Sequence, residues 1–81
     1  MYSIQVDRAV ELQLADLHPK RFKQVVLRLY ALQQNPRPPD SAILDAEMCR
    51  VSVGPYRILY QVDDSARRVH VIAIREQGMV E

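Results

Sequence analysis

The segment CRVSVGPYRILYQVDDSARRVHVIAIR, residues 49–75, decides the fold. Cys49, Val51 and Val53 alternate with Arg50 and Ser52. Tyr56, Ile58, Tyr60 and Val62 alternate with Arg57, Leu59 and Gln61, so two strand patterns flank Gly54-Pro55. A tight connection at Gly54-Pro55 sets Val53 opposite Tyr56, and then 52 faces 57, 51 faces 58 and 50 faces 59. Val51, Val53, Tyr56 and Ile58 fall on one face, and Arg50, Ser52, Arg57 and Leu59 on the other. The apolar face must meet whatever helices the chain has. Arg50 and Arg57 therefore share an open face.

Asp63-Asp64-Ser65-Ala66 reads as a polar turn, and Arg68 to Arg75 as the final strand. The register of that strand stays open. A turn one residue longer or shorter moves His70, Ile72 and Ile74 between the core and the open face, and carries Arg75 toward Arg57 or away from it.

Upstream, Tyr2, Ile4 and Val6 alternate with Ser3 and Gln5 as in a strand with one buried face. Asp7 is a candidate N-cap, and Val10, Leu14 and Leu17 recur on one face of a short helix from about Arg8 to Leu17. His18-Pro19 interrupts that helix, and Pro19 suits the first position of a second. Phe22, Val25, Val26, Leu29 and Leu32 mark its predicted buried stripe. Asn35-Pro-Arg-Pro-Pro-Asp40 ends it, because three prolines in four positions remove backbone donors. Ser41 to Glu47 reads as loop with at most one short extended piece, anchored by Ile43 and Leu44. The predicted architecture is one α+β domain over residues 1–81, β-α-α-β-β-β. Its twisted, mainly antiparallel four-stranded sheet carries a helical hairpin on one face.

Eighty-one residues leave room for one small core. Eleven basic against ten acidic side chains give no global pull toward nucleic acid or membrane. The distribution says more: nine of the eleven cations are arginine, whose planar guanidinium clamps phosphate or carboxylate with two hydrogen bonds, and five of them lie in the segment quoted above. The lone Cys49 excludes an internal disulfide and an all-cysteine metal site. The first residues lack a secretory pattern and no apolar run reaches membrane-spanning length, so a cytoplasmic protein with no membrane partner is expected.

The order of elements, with the run Arg50-x-x-x-Gly54-x-Tyr56-Arg57-Ile58-x-Tyr60-x-x-Asp63 and a strand ending in Arg75, resembles the RelE/ParE superfamily of bacterial type II toxins. The resemblance covers nearly the whole chain. It implies a toxin silenced by a cognate antitoxin in a hetero-oligomeric complex. One branch of the superfamily cleaves mRNA on the ribosome without a metal or other cofactor, by attack of a ribose 2′-hydroxyl on the adjacent phosphate. The other branch shares the fold, and members of it inhibit DNA gyrase. A toxin relative that only binds antitoxin is the third alternative.

Carried over by position, Arg57 matches the arginine on the scissile phosphate and Arg75 a second phosphate-binding arginine. Arg50 and Ser52 fall where the ribonuclease branch has lysines, and the tyrosine found beyond Arg75 in some members is replaced, roughly, by Glu81. Arginine titrates above about pH 12 and cannot act as base, which leaves His70, Glu47, Asp45 and Glu81 as candidates. Each has a structural alternative: Arg57, Arg50 and Arg75 as surface charges, His70 as a half-buried strand residue, Cys49 and the tyrosines as core. Leu59 and one of Val71 or Ile72, here taken as Ile72, are expected to give the open face an apolar strip on which an acidic antitoxin segment docks.

Overall fold

The computed structural model describes residues 1–76. In chain order its elements are β1 (Ser3–Val6), α1 (Arg8–Ala15), α2 (Pro19–Gln34), β2 (Ala42–Ile43), β3 (Met48–Val53), β4 (Tyr56–Asp63) and β5 (Arg68–Glu76). The sheet has five strands in the order β1-β5-β4-β3-β2, one more than the sequence pattern predicts. The extra strand is the two-residue β2, which pairs Ala42 with Arg50 and Ile43 with Cys49. Only β1 runs parallel to its neighbour, β5.

The hairpin register read from the sequence is the one observed: Val53 opposite Tyr56, Ser52 opposite Arg57, Val51 opposite Ile58 and Arg50 opposite Leu59. Gly54 has φ of 54°. Pro55 cannot follow with a positive φ, so the turn is type II′, whose twist matches that of the strands it joins. A Cβ at Gly54 would lie 2.6 Å from Arg21 Nη1, the free end of a flexible side chain that can shift aside. The cost of a side chain there is in the backbone. Gly54→Ala is expected to lower the unfolding free energy by about 1 kcal/mol, read as a fall in denaturant midpoint at constant m value.

The inner face of the sheet carries Cys49, Val51, Val53, Ile58, Tyr60, Val62, Val69, Val71 and Ile74, all buried against Val10 and Leu14 of α1 and Val25, Leu29 and Leu32 of α2. Among the described residues no polar or charged residue is buried. The chemistry of the molecule is therefore a matter of its surface. α2 starts as the sequence suggests, with Pro19 at its first position and His18 Nδ1 accepting a hydrogen bond from the Lys20 amide at 3.2 Å. Its exit is tied by Tyr60, whose hydroxyl donates to the Pro36 carbonyl at 2.6 Å.

Three expectations are corrected. Asp7 precedes α1 but makes no side-chain cap, because its carboxylate is taken by His70. Phe22 is 43% exposed: with Val26 and Tyr30 it forms a ridge along α2 that turns to the β1 edge. There it lines a groove of about 390 Å³ with Ile4, Val6, Leu14 and Leu29. Ile43 and Leu44 are exposed and anchor nothing, since β2 is an edge strand. The loop is held instead by backbone, through the Leu44 amide on the Met48 carbonyl and the Asp45 carboxylate on the amides of Glu47 and Met48. The polar turn after β4 is tied to other parts of the chain. Asp64 receives both terminal nitrogens of Arg37 at 3.1 Å and the Tyr2 hydroxyl at 2.7 Å, while Arg67 lies over the Tyr2 ring.

Candidate functional site

The face of the sheet turned away from the helices is built in rows, because directly opposed residues on neighbouring strands share a side. One row is Ser52, Arg57 and Arg75; the next is Arg50, Leu59 and Ala73; a third is Met48, Gln61, His70 and Gln5. Arg75 thus joins Arg57, and His70 joins the same face. In a regular strand this is forbidden, since His70 and Arg75 are an odd number of residues apart. β5 allows it through a bulge: Tyr60 pairs with Val71 and Leu59 with Ala73, leaving Ile72 as the extra residue. The bulge keeps Val71 and Ile74 both in the core and resets the outward parity between them.

Arg57 and Arg75 stand directly opposite one another, an arrangement that costs stability between like charges. Both are exposed, and Arg50 is partly so. Among the described residues none of the three has a carboxylate within ion-pair distance. Arg28 is paired with Asp40 at 2.6 Å and Arg37 with Asp64, while Arg21 bonds the neutral amide of Gln24 at 3.0 Å. The open face gathers three guanidinium groups that have no carboxylate partner among the described residues. Such a surface can receive an anion.

His70 is the second feature. Its Nε2 lies 2.6 Å from Asp7 Oδ1, across the junction where the Val6–Val71 pair of the parallel β1–β5 ladder delivers Asp7 beside β5. His70 also lines a hollow of about 200 Å³ with Glu47, Gln61, Val62, Asp63 and Arg68. Glu47 is exposed at the rim of this hollow. Asp45 accepts hydrogen bonds from two backbone amides, which hold its carboxyl below the usual carboxylate range. Glu81 lies outside the described residues. Leu59 and Ile72 are both partly exposed, Leu59 in the middle row and Ile72 in the bulge.

The structural readings hold for the inner face. Cys49 is buried, and burial pushes its thiol up, away from the thiolate a nucleophile needs. Tyr60 is wholly enclosed, and Tyr56 packs against the core at the edge. Asp7 had no local signal: its partner is sixty-three positions away, and only the parallel pairing of the first and last strands brings the two together.

Comparison with protein families matches residues 4–81 to the ParE toxin of type II toxin–antitoxin systems. The chain belongs to this toxin family. Solved structures share its fold: the isolated Escherichia coli RelE toxin superposes with a TM-score of 0.86 at 20% identity, covering 100% of this chain and 89% of that one. A chain of the archaeal RelE–RelB complex from Pyrococcus horikoshii also gives 0.86, at 16% identity and 98% coverage of both. The intact Escherichia coli RelBE toxin–antitoxin complex gives 0.82 at 19% identity, covering 99% and 100%. Comparison with curated proteins finds no match. The protein is thus a toxin of a type II toxin–antitoxin module with the RelE/ParE fold.

Proposed function

We propose that this toxin is a metal-independent endoribonuclease that cleaves mRNA on the ribosome, and that its cognate antitoxin silences it by covering the open face of the sheet. The observation that carries the reading is the Arg57–Arg75 pair, with Arg50 one row away, without carboxylate partners among the described residues and on a surface the helices leave bare. Three guanidinium groups fit the charge that develops on the nonbridging oxygens when a 2′-hydroxyl attacks its neighbouring phosphate. Ser52, next to Arg57 in the same row, supplies a hydroxyl to the backbone of the substrate.

Antitoxin binding draws on the same surface. Leu59 and Ile72 offer apolar contact beside the arginines, and the groove along Phe22, Val26 and Tyr30 offers a larger apolar seat on the opposite flank. The solved RelE–RelB and RelBE complexes support a toxin–antitoxin assembly for this chain as well.

The test is mapping of transcripts after expression without antitoxin. Growth arrest with ribosome-dependent breaks in translated mRNA is the expected result, and arrest with intact mRNA would end the ribonuclease reading. A second reading, inhibition of DNA gyrase, is favoured by the match to the ParE family. It predicts loss of supercoiling when purified toxin is mixed with gyrase and relaxed plasmid. Unaltered supercoiling would remove it.

A further inference from the structure

RNA cleavage needs one group that the arginines do not supply, a base for the ribose 2′-hydroxyl. His70 is placed for it. An ionised carboxylate only accepts hydrogen bonds, so in the contact with Asp7 it is Nε2 that carries the proton, and in a neutral imidazole Nδ1 is then the bare nitrogen. Nδ1 has no hydrogen-bond partner among the described residues and is not enclosed. A carboxylate that fixes the tautomer and steadies the imidazolium is the division of labour found in hydrolytic triads.

The rows fit a shared substrate. His70 stands one row from Ala73 and Leu59 on one side, and Arg57 with Arg75 stands one row from them on the other. Rows are about 7 Å apart along the strands. A phosphate seated over the short side chain of Ala73 therefore has the imidazole toward one end and the guanidinium groups toward the other, both within reach of their side chains. The bulge at Ile72 is what brings the two ends onto one face.

We infer that Asp7 and His70 form a carboxylate–imidazole pair that acts as general base on the ribose 2′-hydroxyl, an inference that rests on the RNA-cleavage reading. Nδ1 of His70 takes the hydroxyl proton as the 2′ oxygen bonds to phosphorus. The bond from phosphorus to the 5′ oxygen breaks, leaving a 2′,3′-cyclic phosphate and a 5′ oxygen that takes a proton from water. The imidazolium then returns its proton to solvent. Asp7 touches no substrate and is a positioning residue. The charged groups facing His70 are Asp7 from the β1–α1 junction, Glu47 before β3, Asp63 at the end of β4 and Arg68 on β5.

The test is single-turnover cleavage of mRNA on programmed ribosomes from about pH 5 to about pH 9, the span in which imidazole changes charge. Wild-type protein is expected to lose rate on the acid side. His70→Gln should lower the rate about 10²–10⁴-fold and remove the acid limb. Free imidazole should restore part of the activity of His70→Ala. Asp7→Asn should fall by a similar factor, because an amide donating to Nε2 selects the wrong tautomer, and what remains should have its acid limb moved. Retained antitoxin binding by each variant establishes that it is folded. A folded His70→Gln that cleaves at the wild-type rate, or an acid limb that disappears with Glu47→Gln and not with His70→Gln, overturns the pair while RNA cleavage stands. Wild-type protein that leaves mRNA uncut on the ribosome overturns both.

Discussion

With Arg57 replaced by alanine, the toxin is expected to cleave mRNA about 10²–10³-fold more slowly and to stop arresting growth, while its fold persists and its antitoxin binding is largely kept by the apolar contacts. Arg57 is exposed, and its neighbours across the strands are Ser52 and Arg75, so truncation opens no cavity and orphans no buried group. It also relieves a like-charge pair, and the change in unfolding free energy should stay within about 0.5 kcal/mol. The loss is thus confined to the transition state. It should appear in the rate at saturating ribosomes, with a smaller change in the concentration needed for half-saturation. Arg57→Lys is a useful second variant: it keeps the charge but not the planar fork, and should recover only part of the rate. A variant at position 57 that cleaves at full rate would show that the arginine row serves the antitoxin alone.

How much of this surface was legible beforehand depended on what fixed each register. β3 and β4 are joined by two residues, so the pairing of Arg50, Ser52 and Arg57 followed from Gly54-Pro55 and simple alternation. β5 was not legible in the same way. Its core residues Val69, Val71 and Ile74 are spaced by two and then by three, and a single alternation cannot place His70 and Arg75 on one side. That change of spacing is the bulge. The helical period marked Val25, Leu29 and Leu32 correctly but could not set the width of the buried stripe, so Phe22 was assigned to a core that ends at the short β1 strand. Ile43 and Leu44 were apolar residues with nothing to pack on. The Asp7–His70 contact joins the two ends of the chain, and no local pattern in either segment encodes it.

The largest stability effect is expected at Tyr60, which is central to the sheet and has no exposed surface. Its ring fills the space between the inner face of β4 and the chain leaving α2, and its hydroxyl satisfies the Pro36 carbonyl in a stretch where proline has removed several backbone donors. Tyr60→Ala is expected to cost about 3–5 kcal/mol by analogy with other large aromatic truncations. That is much of the roughly 4–12 kcal/mol available to a domain of this length, so the variant should be largely unfolded at growth temperature unless antitoxin holds it. Tyr60→Phe keeps the ring and strands only the carbonyl, at about 1–3 kcal/mol. The two variants separate packing from hydrogen bonding, and denaturant midpoints measure both. The phenol also makes a prediction about pH. Burial, followed by the neighbouring Cys49, pushes its pKa up to about 12 in the folded protein, against about 10 in an unfolded chain. The neutral phenol is therefore favoured by folding, and its contribution is complete below about pH 10 and is lost as pH rises toward 12. The Cys49 thiol is raised as well, chiefly by its burial, which Tyr60→Phe leaves in place. The difference between the two proteins in alkaline unfolding therefore isolates the tyrosine: wild type should lose stability more steeply above pH 10, and parallel curves would mean that Tyr60 ionises in the folded state as freely as in water.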